Sequence, residues 1–177
     1  MIDTFDFKQM KKYIDYVAEA AKGVTEVMLW DLDEELKEGV VPLMLDIREP
    51  YEFDCMHIDG SRNVPRWVLE SAWVWDYEET IPELVKARKR EIVVVCRSGH
   101  HSLLAAKILV EMGYANVRSL KTGLRGSNDY EMPLVRREGE RPVLETNADR
   151  YLAWNVRRDL LKPKNWSTIV LYFKGVL

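Results

Sequence analysis

The sequence has little of what marks several large classes of protein. Its 177 residues include only two cysteines and three histidines, and no apolar run approaches the roughly 18 residues that cross a bilayer. We therefore expect neither a disulfide framework nor a membrane-spanning segment. The formal net charge is −3, without the basic excess of a nucleic-acid-binding protein. The first residues lack a basic and apolar leader, so we expect a cytoplasmic protein with no nucleic-acid or membrane partner.

Apolar residues are abundant, but they occur in short runs. They make up 47% of the chain, which suffices for one well-buried core rather than two. Residues 91–95 end in four consecutive apolar β-branched residues, which is typical of a strand buried on both faces. Residues 102–112 predict a mostly buried helix that Gly113 ends. A strand that leads through a short loop into a helix places this loop at the carboxyl edge of a sheet, where open α/β folds bind ligands.

Cys96 is the first residue of this loop, and polar residues follow it. The N–H groups of a tight loop and of a helix's first turn favour negative charge, and Arg97 adds a permanent positive charge. His100 and His101 add charges that depend on pH. These surroundings favour the thiolate form of Cys96. The alternative is a buried cysteine that acts as a small hydrophobe, but the polar continuation favours a reactive thiol.

Three blocks of sequence resemble the signatures of the rhodanese-like sulfurtransferase family. The loop Cys-Arg-Ser-Gly-x-x-Ser, after its valine-rich strand, resembles the family's active-site loop. Upstream, residues 45–53 and 57–65 resemble the first family signature, with Asp-x-Arg-Glu and later His-Ile-x-Gly. Downstream, residues 112–123 resemble the second signature. The blocks stand in the family's order, and the resemblance covers about residues 24–134.

The resemblance implies an α/β fold of three layers, in which a central and mostly parallel sheet is flanked by helices. We divide the chain into an N-terminal helical extension (1–23), the rhodanese-like domain (24–134) and a C-terminal extension (135–177) that packs on the body or on a partner. Elsewhere the residue pattern predicts helices over 6–22, 30–38, 78–90 and 148–161, strands over 24–28, 40–45, 116–120 and 167–173, and a turn over 121–126.

The resemblance also implies sulfur transfer through a persulfide on Cys96. A donor such as thiosulfate or a low-molecular-weight persulfide would supply the sulfur, and a thiol or cyanide would accept it. The implied persulfide-binding loop consists of Arg97, Ser98, Gly99, His100, His101 and Ser102. Asp46 and Arg48 are expected at the same sheet edge, where they either order this loop or form a local ion pair. The expected partners are a small-molecule donor and, as one candidate, a protein acceptor; no cofactor or metal is implied, and the oligomeric state stays open.

Three alternative functions use the same residues. A phosphatase of this fold needs an arginine six residues after the cysteine to hold the phosphate, and Ser102 stands at that position. A metal relay would use Cys96, His100 and His101, but adjacent histidines cannot easily face one ion and a fourth ligand is missing. A sulfur carrier that works only with a protein partner is the main alternative. The N-terminal helix, the tryptophan cluster of residues 67–77 and the basic tail all suit it.

Three further features have a structural or an open interpretation. His57 is expected to form a structural hydrogen bond rather than to catalyse. Cys55 is expected to be a half-buried bystander. Residues 67–77 hold three tryptophans and a tyrosine, which would form a lid on the sheet, an apolar wall beside the sulfur site or a docking patch for a protein. Many family members carry arginine at the position of His101, so the site's charge here should vary with pH near neutrality.

Overall fold

The short apolar segments form the strands of a parallel sheet in the computed structural model, which describes residues 10–136 and Leu152. The strands of this sheet are β1 (Thr25–Val27), β2 (Leu43–Asp46), β4 (Arg62–Asn63), β5 (Glu91–Val95) and β6 (Asn116–Leu120). They lie in the order β1-β6-β5-β2-β4, and every neighbouring pair is parallel. A second sheet pairs β3 (His57–Ile58) with β7 (Leu134–Val135) in antiparallel fashion.

The middle strand β5 is buried on both faces, as its unbroken apolar run predicts. Ile92 and Val94 belong to one apolar cluster, and Val93 and Val95 belong to the other. Each of these four residues is at most 1% exposed. The sheet therefore carries an apolar layer on each of its two faces within one domain, and each layer needs its own cover of helices.

Helices supply that cover on both sides of the sheet. They are α1 (Tyr13–Ala20), α2 (Leu29–Lys37), α3 (Pro50–Cys55), α4 (Leu69–Ala72), α5 (Pro82–Val85), α6 (His100–Glu111) and α7 (Gly123–Asp129). Helices α1, α4, α5 and α6 contribute to the cluster of Ile92, and α2 and α7 contribute to the cluster of Val93. The predicted three-layer α/β fold with a mostly parallel sheet is confirmed. Within the described residues, no helix is long and apolar enough to cross a membrane.

Several elements are shorter than the sequence predicts, and in two places distant contacts determine the backbone. The helix predicted over 78–90 is limited to α5, since the carbonyl of Arg88 accepts a hydrogen bond from Ala115 and its guanidinium donates to the carbonyl of Met112. The turn predicted over 121–126 is instead the start of α7. The N–H groups at the start of α7 donate to the carbonyls of Cys96 and Arg97, a contact that local sequence does not reveal.

The two extensions are only partly described. The helix predicted over 6–22 is observed as the shorter α1, Tyr13–Ala20; residues 10–12 are described but not helical, and residues 6–9 lie outside the described range. Of the predicted tail elements, 148–161 and 167–173, only Leu152 is described. It has helical backbone, is 3% exposed and belongs to the cluster of Val93. The tail therefore contributes at least one side chain to the core.

One ion pair connects α2 to the sheet, and it should make the free energy of unfolding depend on pH. The two terminal nitrogens of Arg118 donate to the two carboxylate oxygens of Glu35 at 2.7 and 2.8 Å, and both side chains are partly buried. These hydrogen bonds lower the pKa of Glu35 although burial opposes them. A carboxyl group whose pKa is lower in the folded state stabilises the fold above its unfolded pKa, and this stabilisation is lost as pH falls through the folded pKa.

We expect Glu35→Gln to lower the free energy of unfolding by about 1 kcal/mol near neutral pH, since a partly buried bidentate pair is lost. The difference from wild type should shrink below about pH 4, where the wild-type carboxyl group is itself becoming protonated. Urea unfolding at several pH values measures this, with Glu34→Gln at the exposed neighbouring position as control. A loss that is independent of pH, or equal to that of the control, would contradict the assignment.

Candidate functional site

Cys96 directly follows β5 and lies at the carboxyl edge of the sheet. Asp46 ends the neighbouring strand β2 and is in register with Val95. After Cys96 the chain makes a tight loop, and α6 begins at His100 with Gly99 as its N-cap. Gly99 has φ +91°, a conformation that residues with a side chain rarely adopt. This turn brings the Gly99 N–H to 3.2 Å from the sulfur of Cys96, to which it donates a hydrogen bond.

Two buried serines extend the surroundings of the sulfur. The hydroxyl oxygen of Ser102 lies 3.4 Å from the sulfur of Cys96, and this hydroxyl donates to the carbonyl of Gly99 at 2.8 Å. The hydroxyl of Ser119 on β6 donates to the hydroxyl of Ser102 at 2.9 Å. A thiolate only accepts hydrogen bonds. The Ser102 hydroxyl can therefore turn its hydrogen from Gly99 to an anionic sulfur while it still accepts from Ser119.

Sequence reasoning missed Ser119, and the available signal was weak. Ser119 is a small polar residue within a strand, and it is 0% exposed. A buried hydroxyl normally needs a partner, which indicates that something polar lies nearby. The sequence alone does not indicate that this partner is Ser102, which is 17 positions away.

The backbone of the cysteine loop is held by α7. The N–H of Leu124 donates to the carbonyl of Cys96 at 2.9 Å, and the N–H of Arg125 donates to the carbonyl of Arg97 at 3.0 Å. This close approach requires glycine at position 123, because a Cβ there would overlap the carbonyl oxygen of Cys96. Gly123 also has a positive φ of +58°. Gly123, the last residue of the second family-like block, thus lets α7 pack against the cysteine loop.

A pocket of about 350 Å³ opens in front of Cys96, which lies in the range of small-molecule sites. It is lined by Ile47, Arg48, Glu49, Glu52, Arg66, Cys96, Arg97 and His101. Of the predicted site residues, four are in this lining: Arg48, Cys96, Arg97 and His101. The predicted residues Ser98, Gly99, His100 and Ser102 belong to the loop and to α6 but do not line the pocket.

Four lining residues were not predicted from sequence. Ile47, Glu49 and Glu52 fall within the first family-like block, where their position beside Arg48 was the available signal. Arg66 follows that block after Pro65, and no motif singles it out. Its guanidinium donates to the carboxylate of Glu70 at 2.9 Å. The pocket therefore presents both signs of charge at its rim.

Asp46 and Arg48 form a buried ion pair. Their terminal atoms are 2.7 Å apart, and the side chains are only 1% and 3% exposed, respectively. Arg48 also donates to the carbonyl of Met56 at 2.6 Å. These contacts correspond to the local ion pair, one of the two roles expected for these residues. They join the end of β2 to the residue after α3, so the pair positions one wall of the pocket.

His57 and Cys55 lie outside the pocket lining. The Nδ1 of His57 is 2.7 Å from the carbonyl oxygen of Phe53, and the two rings stack with centroids 3.8 Å apart. The structural hydrogen bond expected for His57 is therefore observed. Cys55 is a free cysteine, and it is exposed, whereas we expected a half-buried thiol. The difference arises because α3 turns its last residue to the surface while Phe53 is buried.

The tryptophan-rich segment divides between core and surface. Trp73 is fully buried, its ring meets Tyr114 edge-on with centroids 4.6 Å apart, and its carbonyl accepts a hydrogen bond from the Tyr114 hydroxyl. Trp67 and Trp75 are 71% and 49% exposed. None of the tryptophans in the described part of the chain lines the pocket, so the segment 67–77 does not form the apolar wall expected beside the sulfur. The predicted lid on the sheet therefore applies only to Trp73, the buried member of this segment.

The fold and the site define a class of protein: an α/β domain whose central strand delivers a buried cysteine to a tight loop at the N-terminus of a helix. Such a loop favours a negative charge on the sulfur. The chain belongs to the rhodanese-like domain family, whose sequence model matches residues 29–129. The resemblance drawn from the sequence blocks is therefore confirmed.

Two relatives indicate the range of proteins that contain such a domain. The chain is 34% identical over 107 residues to the adenylyltransferase and sulfurtransferase UBA4 of Candida albicans, covering 60% of this chain and 24% of that protein. It is 29% identical over 92 residues to the thiosulfate sulfurtransferase PspE of Escherichia coli, covering 52% of this chain and 77% of that protein. The chain thus spans about a quarter of the length of the first of these relatives.

Two solved structures show the same fold. A protein of unknown function from Rhodopseudomonas palustris, named a possible tyrosine phosphatase, has a TM-score of 0.64 at 24% identity, covering 69% of this chain and 92% of that one. The human single-domain sulfurtransferase TSTD1 has a TM-score of 0.51 at 25% identity, covering 60% of this chain and 97% of that one. The first likeness concerns the fold alone.

Proposed function

We propose that this protein is a sulfurtransferase that carries sulfane sulfur as a persulfide on Cys96. The observation that carries the proposal is the sulfur of Cys96, which accepts a hydrogen bond from the Gly99 N–H and lies at a pocket lined by three arginines, His101 and two glutamates. Membership of the rhodanese-like family and relatives named as sulfurtransferases support it.

The proposed reaction has two displacement steps that balance in atoms and charge. The thiolate of Cys96 attacks the outer sulfur of thiosulfate, so that a new S–S bond forms, the S–S bond of the donor breaks and sulfite leaves with its electron pair. An acceptor such as cyanide then attacks the outer sulfur of the persulfide and leaves as thiocyanate, which restores the thiolate. A low-molecular-weight persulfide would serve as donor in the same way and release its thiol.

The groups around Cys96 suit a negative charge on sulfur, both in the thiolate and in the persulfide. The Gly99 N–H and the N-terminus of α6 favour negative charge at this point. The Ser119–Ser102 pair supplies a hydroxyl that can reorient toward the sulfur. In the proposed roles, Arg97 and His101 attract an anionic donor at the pocket, while Ser98 and His100 complete the loop backbone. Asp46 and Arg48 would act as positioning residues for the wall.

The position of Ser102 favours sulfur chemistry over phosphate chemistry. A phosphatase of this fold needs a guanidinium at that position to hold the phosphate through two hydrogen bonds. Ser102 instead is 0% exposed, donates its hydroxyl to the carbonyl of Gly99 and accepts a hydrogen bond from the Cys96 thiol. Hydrolysis of an aryl phosphate should therefore be absent or independent of Cys96.

Intact mass spectrometry after exposure to a donor tests the proposal. Thiosulfate, glutathione persulfide and a polysulfide are offered in parallel to the full chain, and the modified peptide is then identified. We expect one added sulfur atom on the peptide of Cys96, and cyanide should remove it as thiocyanate. Failure of all three donors to load the protein, or sulfur found on Cys55, would overturn the proposal. Loading without transfer to any small acceptor would instead favour the partner-dependent carrier.

The second test concerns donor charge and uses the histidine that lines the pocket. Arginine is always charged, so His101→Arg should lower the KM for the dianion thiosulfate about fivefold, or about 1 kcal/mol, because the open pocket is screened by solvent. The KM for a less charged alkyl persulfide should stay within about twofold. His100→Arg is the matched control, since His100 is exposed and does not line the pocket. Equal effects on both donors, or in both variants, would show that His101 does not select anions.

A further inference from the structure

We propose that Tyr13, on the helix that precedes the family-like region, is a positioning residue that holds His101 at the pocket and so sets the preference for anionic donors. This inference rests on the proposed sulfur transfer. It concerns α1, which lies outside residues 29–129, the range that the family model matches.

Helix α1 is attached to α6, the helix that follows the cysteine loop. Val17 and Ala20 are 7% and 0% exposed, and they share an apolar cluster with Leu103 of α6. The carboxylate of Glu19 lies 3.8 Å from the ammonium group of Lys107, across the gap between the two helices. The buried face of α1 thus fixes the helix against α6, and Tyr13, its first residue, lies over the start of α6.

The ring of Tyr13 contacts both histidines of α6. Its centroid is 5.9 Å from that of His100 and 5.7 Å from that of His101, with interplanar angles of 63° and 59°. These distances and angles are those of favourable aromatic pairs that meet edge to face or at a tilt. Consecutive residues on a helix point about 100° apart, so the Tyr13 ring lies between the side chains of His100 and His101. It therefore limits the rotamers that each histidine can adopt.

The side chain of His101 needs such a constraint. His101 is exposed, so without a neighbour its ring would exchange among rotamers on the surface of α6. It nevertheless lines the pocket together with Cys96 and Arg97. An aromatic contact of ordinary strength is sufficient to favour one rotamer about fivefold. The ring of Tyr13 therefore raises the fraction of time that His101 spends beside the donor.

The phenol of Tyr13 is compatible with a site that attracts anions. Burial, and then the negative charge of a Cys96 thiolate, raises the pKa of Tyr13. The phenol therefore remains neutral near neutral pH, and it adds no negative charge beside the pocket.

Three variants separate the ring of Tyr13 from other effects of α1. Tyr13→Ala removes the ring, Tyr13→Phe keeps it and removes the hydroxyl, and Tyr16→Ala is the matched control. Tyr16 is 52% exposed on the same helix, and its ring is next to the ammonium group of Lys11 rather than the histidines. Thermal unfolding of all three variants tests whether each of them retains the fold.

Histidine NMR provides a readout that needs no sulfur transfer. The chain has only three histidines, so each ring gives a resolvable signal. We expect Tyr13→Ala to shift the signals of His100 and His101, which lose the ring current of Tyr13. The signal of His57, which stacks on Phe53, should not move. Tyr13→Phe and Tyr16→Ala should leave all three close to wild type.

Kinetics provide the functional readout. We expect Tyr13→Ala to raise the KM for thiosulfate about fivefold while kcat, and the KM for an alkyl persulfide, change less than about twofold. Tyr13→Phe should restore wild-type values. Unchanged histidine signals with an unchanged KM would overturn the inference, and so would a phenylalanine variant that behaves like the alanine variant. A wild-type protein without sulfur transfer would overturn the proposed function, and the NMR readout would still decide whether Tyr13 holds His101.

Discussion

Cys96→Ser should accept no sulfur from any donor, whereas Cys55→Ser should load as the wild type does. In the proposed reaction the persulfide forms on the sulfur of Cys96, and a serine hydroxyl is a poor nucleophile at neutral pH without a base to activate it. Loss of a covalent nucleophile typically lowers the rate by at least about 10³-fold. Cys55 is exposed and does not line the pocket, so its removal should change the rate less than twofold, roughly within error.

The measurement is cyanide-labile sulfur after loading, together with the rate of thiocyanate formation. Both variants replace sulfur by oxygen, so the pair controls for the substitution itself. Cys96 is 3% exposed, and a buried hydroxyl there can use the same partners, Gly99 and Ser102, as the thiol. We therefore expect Cys96→Ser to stay folded in urea unfolding. Cyanide-labile sulfur that survives in this variant would remove Cys96 from the mechanism.

The sequence was most informative where burial alone determines structure. The run at residues 91–95 is short and rich in β-branched residues, which favours a strand covered on both faces over a buried helix, and this is how β5 lies in the sheet. Strand β6 is likewise found at its predicted bounds, 116–120. Because Cys96 directly follows β5, its place at the sheet edge could be predicted without knowing any other contact.

The sequence was least informative where the site depends on contacts between distant segments. Ser119 on β6 donates a hydrogen bond to Ser102 on α6. Arg66 lines the pocket from a short 3-10 turn at Arg66–Val68. Tyr13 contacts the histidines of α6 across about 90 positions of the chain. Periodicity reports which face of an element is apolar, but not which distant element covers it. The helix of Tyr13 could therefore be predicted, while its position over the cysteine loop could not.

Gly99→Ala should be severely damaging although it leaves every functional side chain in place. Gly99 has φ +91°, and a Cβ there would overlap the carbonyl oxygen of Lys121. That carbonyl cannot easily yield, since Lys121 follows the sheet strand β6 and its N–H donates to Val27 of β1 at 3.1 Å. The loop would have to move instead, and with it the Gly99 N–H that contacts the sulfur of Cys96.

The matched control for this prediction is Gly60→Ala. Gly60 also has a positive φ, +72°, but a Cβ there would meet nothing within 4 Å. The control therefore isolates the cost of the left-handed backbone, about 1–2 kcal/mol, and should leave the sulfurtransferase rate unchanged. Gly99→Ala should lower the free energy of unfolding by at least about 3 kcal/mol, because the clash adds to this backbone cost.

The proposed activity should fall further than stability alone would require. A displacement of reacting groups on the order of 1 Å can lower a rate about 10²-fold, and the Gly99→Ala loop should shift by a similar distance. We therefore expect kcat/KM for thiosulfate to cyanide transfer to fall at least about 10²-fold at a temperature where the variant is still folded. Urea unfolding and kinetics at that temperature measure the two effects separately. If Gly99→Ala had the same free energy of unfolding and the same kcat/KM as Gly60→Ala, the close packing of the loop against Lys121 would have no part in holding the Cys96 sulfur in place.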